Sequence, residues 1–505
     1  MTDIIVWISG NILWGIPMIA AMLLTGIFIT IRLKAIQVRK FGDSLSSTII
    51  PTVRSIGKKS SGGDGKTKSI SQFEAFSAAI SGTVGTGNIV GVASALLSGG
   101  PGAVFWMWVS AFFGLATNYS ENVLGLYYRR KDKDGNIHGG PMYYIKYGLK
   151  LRWLAAAFAI FCMVAASGMG MVQANNITGT LQTTLGAGEN KTKSGIIAVC
   201  VAVFVVFFTA LIVIGGIKRI GKVASMIVPF MAVLFIVMAV IIISLNITAV
   251  PAAFAMIVKD TFSLRSFGGG LLGYGIMRAM RYGFARGIFS NEAGLGSSVI
   301  AHSASETEEP VKQGLWGIFE VFIDTFVICT LTALTILTTC IKSGVSDITS
   351  LESSYSGSAL SISAFVGTLG NFGNAVFTVL MPLFAFTTIL AWSYYGEKSA
   401  QFLVPEKYQS RASNIFKFVY VMTLAVGALV KNDFVWALDD MFNALMALPN
   451  LIALILLSGT IKKITENYYQ RKKGLNVEPM LSAYPDVNRE LKERAEAKSK
   501  AENPG

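Results

Sequence analysis

Residues Ser81 to Gly91 read SGTVGTGNIVG, inside the most apolar part of the first hundred residues. Glycine in a helix interior costs roughly 1 kcal/mol relative to alanine. Gly82, Gly85, Gly87 and Gly91, with a Thr-Gly-Asn step between them, therefore mark a place where a helix is set to break. Composition identifies the environment of that break. Hydrophobic residues make up 52% of the 505 and charged residues 14%, against about 25% charged in ordinary soluble domains. Mean hydropathy is +0.56, and apolar runs long enough to cross about 30 Å of hydrocarbon recur along the whole chain. In lipid every backbone polar group must be paired, which a chain achieves with helices or a closed barrel. These runs are too long and continuous for barrel strands, so the expected fold class is an all-α polytopic membrane protein.

Charge position gives the topology. After a first span at about 11 to 31 come Arg32, Lys34, Arg39, Lys40, Arg54, Lys58, Lys59, Lys66 and Lys68. The positive-inside rule places that loop in the cytoplasm and the N-terminus outside. Further spans near 71–98, 102–129, 153–186, 194–215, 222–246, 282–304, 313–340, 371–396, 414–431 and 433–460 make about eleven transmembrane helices. Alternation then makes cytoplasmic loops of 129–152, 216–222, 305–312 and 397–413, and of the tail after Lys462. Four of these five carry basic clusters, including Arg129, Arg130, Lys131, Lys218, Arg219, Lys222, Lys462 and Lys463; the loop with Glu306, Glu308 and Glu309 is acidic. The net charge of +14 thus reflects orientation in a cell membrane rather than nucleic-acid binding. In the tail, Arg471, Lys472 and Lys473 are expected to meet anionic lipid. The expected division is 1–70 (first helix and basic loop), 71–246 (a first set of five helices), 247–460 (a second set with a connecting segment) and 461–505 (polar tail). The first span is too long for a removable signal peptide, and it lacks the basic start and small-residue cleavage site of one.

Several chemistries drop out. Cys162, Cys200, Cys329 and Cys340 fall in or at the ends of spans at scattered spacings, as core thiols rather than a disulfide framework or metal cluster. With only His138 and His302 in the chain, a histidine metal site or proton relay is not expected, and His302 reads as a packed or interfacial residue rather than a switch. Gly85, Gly87 and Gly91 have the wrong spacing for a dinucleotide loop and no strand before them, and Gly57-Lys58-Lys59-Ser60 has Thr52 where a phosphate loop needs glycine. No cofactor and no enzymatic activity are expected. Gly87-x-x-x-Gly91 also admits a plainer reading, close packing of two helices.

A second copy of the pattern argues for more than packing. Ser81, Gly85, Gly87 and Asn88 are matched at the same offsets by Ser290, Gly294, Gly296 and Ser297. With the first span set aside, both stretches fall in the first span of a five-span set. Because five is odd, the two sets enter the membrane from opposite sides. This is the 5+5 inverted repeat of a secondary transporter, with its first and sixth core helices broken. A helix broken inside the membrane frees amides suited to a carboxylate and carbonyls suited to a cation or ammonium group. A zwitterionic amino acid with a small cation fits both.

The residues also resemble a known family. SGTVGTGNIVG, GGPGAVFWMWVSAFFGLATNYSENVLGLYYR after it, GGPMYYI at 139–145 and GFARGIFSNEAGLGSSVIAHSA at 283–304 are similar to the alanine or glycine:cation symporter family, sodium-coupled carriers of small neutral amino acids. The resemblance runs from about residue 10 to 460 and extends to the LeuT-like fold, whose first core helix carries a similar step to Val84–Asn88. It implies that the amides of Thr86 and Gly87 hold the substrate carboxylate with Asn88 nearby, and Thr83 joins that substrate set. It implies a sodium site from the carbonyls of Ser81, Val84 and Phe384 and the hydroxyls of Thr387 and Thr388. Read without the family, the two threonines have the option of bonding back to their own helix.

Other polar positions complete the expectation. Gln173, Asn175 and Asn176 follow a small-residue run, and Gln173 is the one placed at the substrate; Trp392, one turn after Thr388, would wall a small side-chain pocket. Interhelical hydrogen bonding and packing are the competing readings for these. Asn291 and Gly294 would face the ammonium end. Intramembrane charge is expensive and therefore informative. Glu74, Glu121, Glu292, Glu320 and Asp324 fall in or near spans with Arg278, Arg281 and Arg286, and ion pairing among them, or gating, is expected. The sequence thus points to sodium-coupled import of alanine or glycine by alternating access across the plasma membrane. A proton-coupled carrier of another small amino acid is the alternative, with a channel or receptor behind it.

Overall fold

The computed structural model describes residues 13–55, 69–132, 135–187, 190–261, 274–345, 347–430, 432–491 and 493. Lys58, Lys59, Lys66 and Lys68, and the near-match at 57–60, lie outside the described residues. The helices are α1 (Ile16–Arg32), the amphipathic α2 (Phe41–Ser55), α3 (Gln72–Thr83), α4 (Val90–Gly99) and α5 (Gly102–Tyr127). There follow α6 (Arg152–Thr184), α7 (Lys191–Val213), α8 (Gly216–Leu245), α9 (Val250–Thr261), α10 (Tyr274–Asn291) and α11 (Ser298–His302). The chain continues through α12 (Pro310–Lys342), α13 (Gly357–Phe402), α14 (Gln409–Leu429), α15 (Asn432–Leu456) and α16 (Ser458–Lys472).

Seven of these, α6, α7, α8, α12, α13, α14 and α15, are each long and apolar enough to cross a membrane, and the bent pair α3–α4 makes up to eight. Three more expected spans fall on α1, α5 and the broken pair α10–α11, which are shorter or richer in polar and aromatic residues. α7 and α8 turn Val203, Phe207, Phe230 and Val233 outward, where hydrocarbon tails as apolar as leucine would meet them.

Both predicted breaks are present, for different local reasons. α3 and α4 meet at 53° across a single 3₁₀ turn at Thr86–Asn88. Asn88 Oδ1 accepts from the Gly85 amide at 2.9 Å and stabilises that turn. A Cβ added to Gly85 would fall on Thr388 Oγ1, so glycine is required there for space. In the second break Gly294 and Gly296 take φ of +92° and +77°, a conformation that glycine adopts without strain. A Cβ on Gly91 would meet nothing within 4 Å, so Gly87-x-x-x-Gly91 is not a tight helix-packing motif. Glu74 is accounted for at the start of α3, where it forms a capping box with Ser71.

The sequence missed some elements. α13 turns at Gly370 (φ +57°, ψ −139°), so the expected span 371–396 is only its second part. α9 lies where a plain connection was expected. A small antiparallel pair, β1 (Arg130–Lys131) and β2 (Ile137–His138), follows α5. Cys162 and Cys329 are buried thiols, whereas Cys200 faces outward and Cys340 is half-buried.

The described part of the tail is folded onto the protein, and two of the three basic residues expected to meet lipid have acidic partners. Arg471 pairs with Glu309 at 2.7 Å and Lys472 with Asp43 at 3.2 Å. The Ala483 amide donates to the Tyr127 carbonyl at 2.9 Å, and the Tyr484 hydroxyl to that of Tyr128 at 3.1 Å. The Arg130 guanidinium lies 4.3 Å from the ring centres of both Tyr147 and Tyr484.

Candidate functional site

The first break, the second break, α6, α12 and α13 converge on one buried region. At its centre the Thr388 hydroxyl is 2.9 Å from the Ser81 carbonyl and 3.1 Å from the Phe384 carbonyl. Val84 packs in the same apolar cluster as Phe384. Thr387 points elsewhere: its hydroxyl is 3.0 Å from the Phe384 carbonyl, 3.1 Å from that of Leu383 and 3.6 Å from Met231 Sδ on α8. Adjacent residues on a helix diverge by a quarter turn or more, so only one of the two faces α3.

On the other side of the break, Thr86 Oγ1 donates to Gln173 Oε1 and accepts from Asn176 Nδ2, both at 2.8 Å. α6 therefore presents two amides to the 3₁₀ turn. Asn175 instead holds the carbonyls of Gly427 and Val430 at 3.0 and 2.7 Å. Its replacement by alanine is expected to cost about 1 kcal/mol of stability, read as a lower midpoint of thermal unfolding. Gly87 lies against the Phe289 ring, which a Cβ would approach to 3.1 Å. The Thr83 hydroxyl bonds back to Ile80 at 3.2 Å.

The second break is held by polar side chains. Trp392 donates to Glu292 Oε1 at 2.8 Å, and Ser297 to Glu292 Oε2 at 2.5 Å. Asn291 bonds Thr325 at 3.1 Å and caps the Ala293 amide at 3.0 Å. The Gly294 amide donates to Glu121 Oε1 at 3.0 Å, and its carbonyl accepts from Asn450 at 2.9 Å. In this conformation the protein itself engages Asn291, Gly294 and Trp392.

Asp324 joins the two breaks. It accepts from Asn88 Nδ2 at 2.5 Å and from Ser290 Oγ at 2.9 Å. It lies in a π-helical segment, Phe322–Cys329, a distortion frequent at functional sites. Glu121, Glu292, Glu320 and Asp324 are at most 1% exposed, and the arginines expected to pair with them do not. Arg278 pairs with Glu352 at 2.5 Å and Arg286 with Asp440 at 3.5 Å, while Arg281 lies over Tyr282, 5.6 Å from its ring centre. Intramembrane charge marked the four carboxylates in the sequence, but their partners are set by tertiary packing. Ser290 was marked by the repeat but not as a partner of Asp324, and Asn176 and Asn450 carried no sequence signal that separated them from structural polar residues.

Two turns of α13 beyond the Thr388 contact, the chain reaches a cavity of about 580 Å³ lined by His138, Lys218, Ala304, Tyr394, Glu397 and Lys417 among others. Its walls come from three of the loops expected on one side, 129–152, 216–222 and 397–413, and from the helix ends beside them. Glu397 pairs with Lys417 at 3.0 Å. Burial and nearby Lys398 hold the His138 imidazole below its ordinary pKa against the pull of Asp132.

Two interrupted helices at the centre of a helical membrane domain define the LeuT-type class of secondary transporter. The fold matches the crystal structure of MhsT in complex with L-phenylalanine, with TM-score 0.56 and 14% identity over 81% of this chain and 95% of that one. The model of the sodium:alanine symporter family matches residues 1–481, and the chain belongs to that family. The sodium/alanine symporter AgcS of Methanococcus maripaludis is 38% identical over 92% of this chain and 97% of its own. The probable sodium/glutamine symporter GlnT of Bacillus subtilis is 36% identical over 93% and 91%. The protein is thus a multi-pass membrane protein of an amino-acid symporter family.

Proposed function

We propose that the protein is a sodium-coupled symporter that imports alanine or glycine across the plasma membrane by alternating access, with its N-terminus outside and its tail in the cytoplasm. The observation that carries this reading is the Thr388 hydroxyl, bonded to the freed carbonyl of Ser81 at 2.9 Å where α3 ends. A hard cation favours oxygen ligands, and the carbonyls of Ser81, Val84 and Phe384 with the Thr388 hydroxyl supply them, Thr387 joining only on turning away from Met231. The substrate carboxylate takes the amides of Thr86 and Gly87, with Thr83, Asn88 and Gln173 around it. Asn291, Gly294 and Trp392 close the ammonium side once the second break loosens. Phe289 crowds Gly87 at the break, and a narrow site suits the side chain of alanine or glycine better than that of glutamine. Sodium entry contributes roughly 2.3 kcal/mol per 100 mV of membrane potential, and the cavity beyond α13 is the inner mouth through which substrate leaves.

The test is uptake of labelled alanine into proteoliposomes under an inward sodium gradient, with potassium as control and glycine and glutamine as competitors. Uptake requires sodium and is displaced by glycine. Thr388→Ala loses a ligand worth about 1.5–3 kcal/mol, so half-maximal sodium rises roughly tenfold or more; Thr387→Ala gives a smaller rise. Equal uptake in potassium overturns sodium coupling, and glutamine as the stronger competitor overturns the substrate. Alanine binding without flux indicates a receptor.

A further inference from the structure

One buried group takes no part in the site described above. His302, at the end of α11, has Nε2 2.8 Å from Glu320 Oε2 on α12 and Nδ1 2.6 Å from Gln313 Nε2. All three side chains are 0% exposed. With the Gln313 amide donating to Nδ1, the imidazole is neutral and its Nε2–H donates to the carboxylate. Gln313 Oε1 and Glu320 Oε1 then have no partner. The oxygen and nitrogen of a side-chain amide occupy nearly the same space. Turned over, the Gln313 amide accepts from a protonated Nδ1, and an imidazolium faces the carboxylate. The cluster therefore has two hydrogen-bonded forms that differ by one proton.

Burial works against a charged imidazole, and the negative groups around the cluster are what offset it. α5 contributes the neutral amide Asn118, 3.4 Å from Glu320 Oε2, and the carboxylate of Glu121; the second break contributes Glu292; and α12 contributes Asp324. Thr83 faces Glu320 from α3, and Tyr395 faces it from α13. The cation on this side, Arg129, is held by the carbonyls of Ser303, Ser305 and Thr307. Acidic groups thus surround the pair, and a buried charge without a counter-charge is costly.

We propose that His302, Glu320 and Gln313 form a proton-binding site. A hydronium ion gives its proton to the Nδ1 lone pair, water is left, and the Gln313 amide turns over. The cluster passes from a net charge of −1 to neutrality while it ties the short half of the second broken helix to α12. A sodium ion at the first break raises the local charge in the same sense, so sodium and the proton compete. That competition rests on the sodium reading; the proton site does not.

The chain holds two histidines, so the full-length His138→Gln protein labelled with ¹⁵N-histidine reports His302 alone. As pH falls, the Nδ1 resonance is expected to change from that of a lone-pair nitrogen to that of an N–H, while Nε2 stays protonated. Replacing choline chloride by sodium chloride moves the transition to lower pH. An Nδ1 that keeps one form over the whole range in which the protein stays folded overturns the proton site. A transition that sodium does not move overturns the competition, even where vesicle uptake has shown sodium coupling.

Discussion

Gly85→Ala is expected to lower sodium-driven alanine uptake by more than about tenfold. The added methyl falls on Thr388 Oγ1, and threonine, branched at Cβ, has few rotamers into which to retreat. Its hydroxyl is also held by the carbonyls of Ser81 and Phe384. Overpacking a core costs typically about 1–3 kcal/mol, and about 1.4 kcal/mol is a factor of ten in affinity. Here the displacement falls on the hydroxyl proposed to meet sodium. Gly91→Ala is the control, because its methyl would meet nothing within 4 Å and uptake should match wild type. The double substitution Gly85→Ala/Thr388→Ala restores room but not the ligand, so protein yield recovers and sodium activation does not. Wild-type uptake by Gly85→Ala would sink the proposed contact.

Asp324→Asn should lose uptake by at least about tenfold while the protein unfolds at the same temperature as wild type or higher. An amide oxygen at the place of Oδ1 still accepts from both Asn88 and Ser290, and the amide nitrogen donates to the Thr325 hydroxyl, now 2.8 Å from Asp324 Oδ2. The hydrogen bonds survive and the charge is removed. Replacing a buried charge that lacks a counter-ion is often neutral or stabilising, so loss of transport with intact folding assigns the carboxylate to cation transit. Asp324→Ala leaves Asn88 Nδ2 only the carbonyl of residue 324 and Cys329 Sγ, and Ser290 only Cys329 Sγ; losing the stronger acceptor costs about 1–3 kcal/mol each, and the variant is expected to fail on both measures. Uptake and thermal unfolding of the two variants decide it, and wild-type uptake by Asp324→Asn would make the carboxylate a purely structural link.

What the sequence revealed follows from the range of the interactions. Helix breaks are local: the glycines near Ser81 and Ser290 located both. The facing of Thr388 toward Ser81 was legible only through the resemblance, because the helix alone gave both threonines equal claim. The pairing of buried charges was not legible at all. Asn88 and Asp324 are 236 positions apart, and nothing in the order of residues tells Asp324 to choose Asn88 over Arg286. The tail misled for a related reason: Arg471 and Lys472 look like lipid anchors until Glu309 and Asp43 are seen beside them. The turn at Gly370 went unread because the helix resumes on both sides.

The strap formed by the tail has a consequence for biosynthesis. Asp43 waits 429 residues for Lys472, and Trp14 waits 426 for the Asp440 carbonyl that its indole meets at 2.8 Å. At roughly 5–20 residues per second of elongation, Trp14 and Asp43 leave the ribosome tens of seconds before their partners exist. During that interval these groups face water or the insertion machinery, and the late-made α15 and α16 are what close over them.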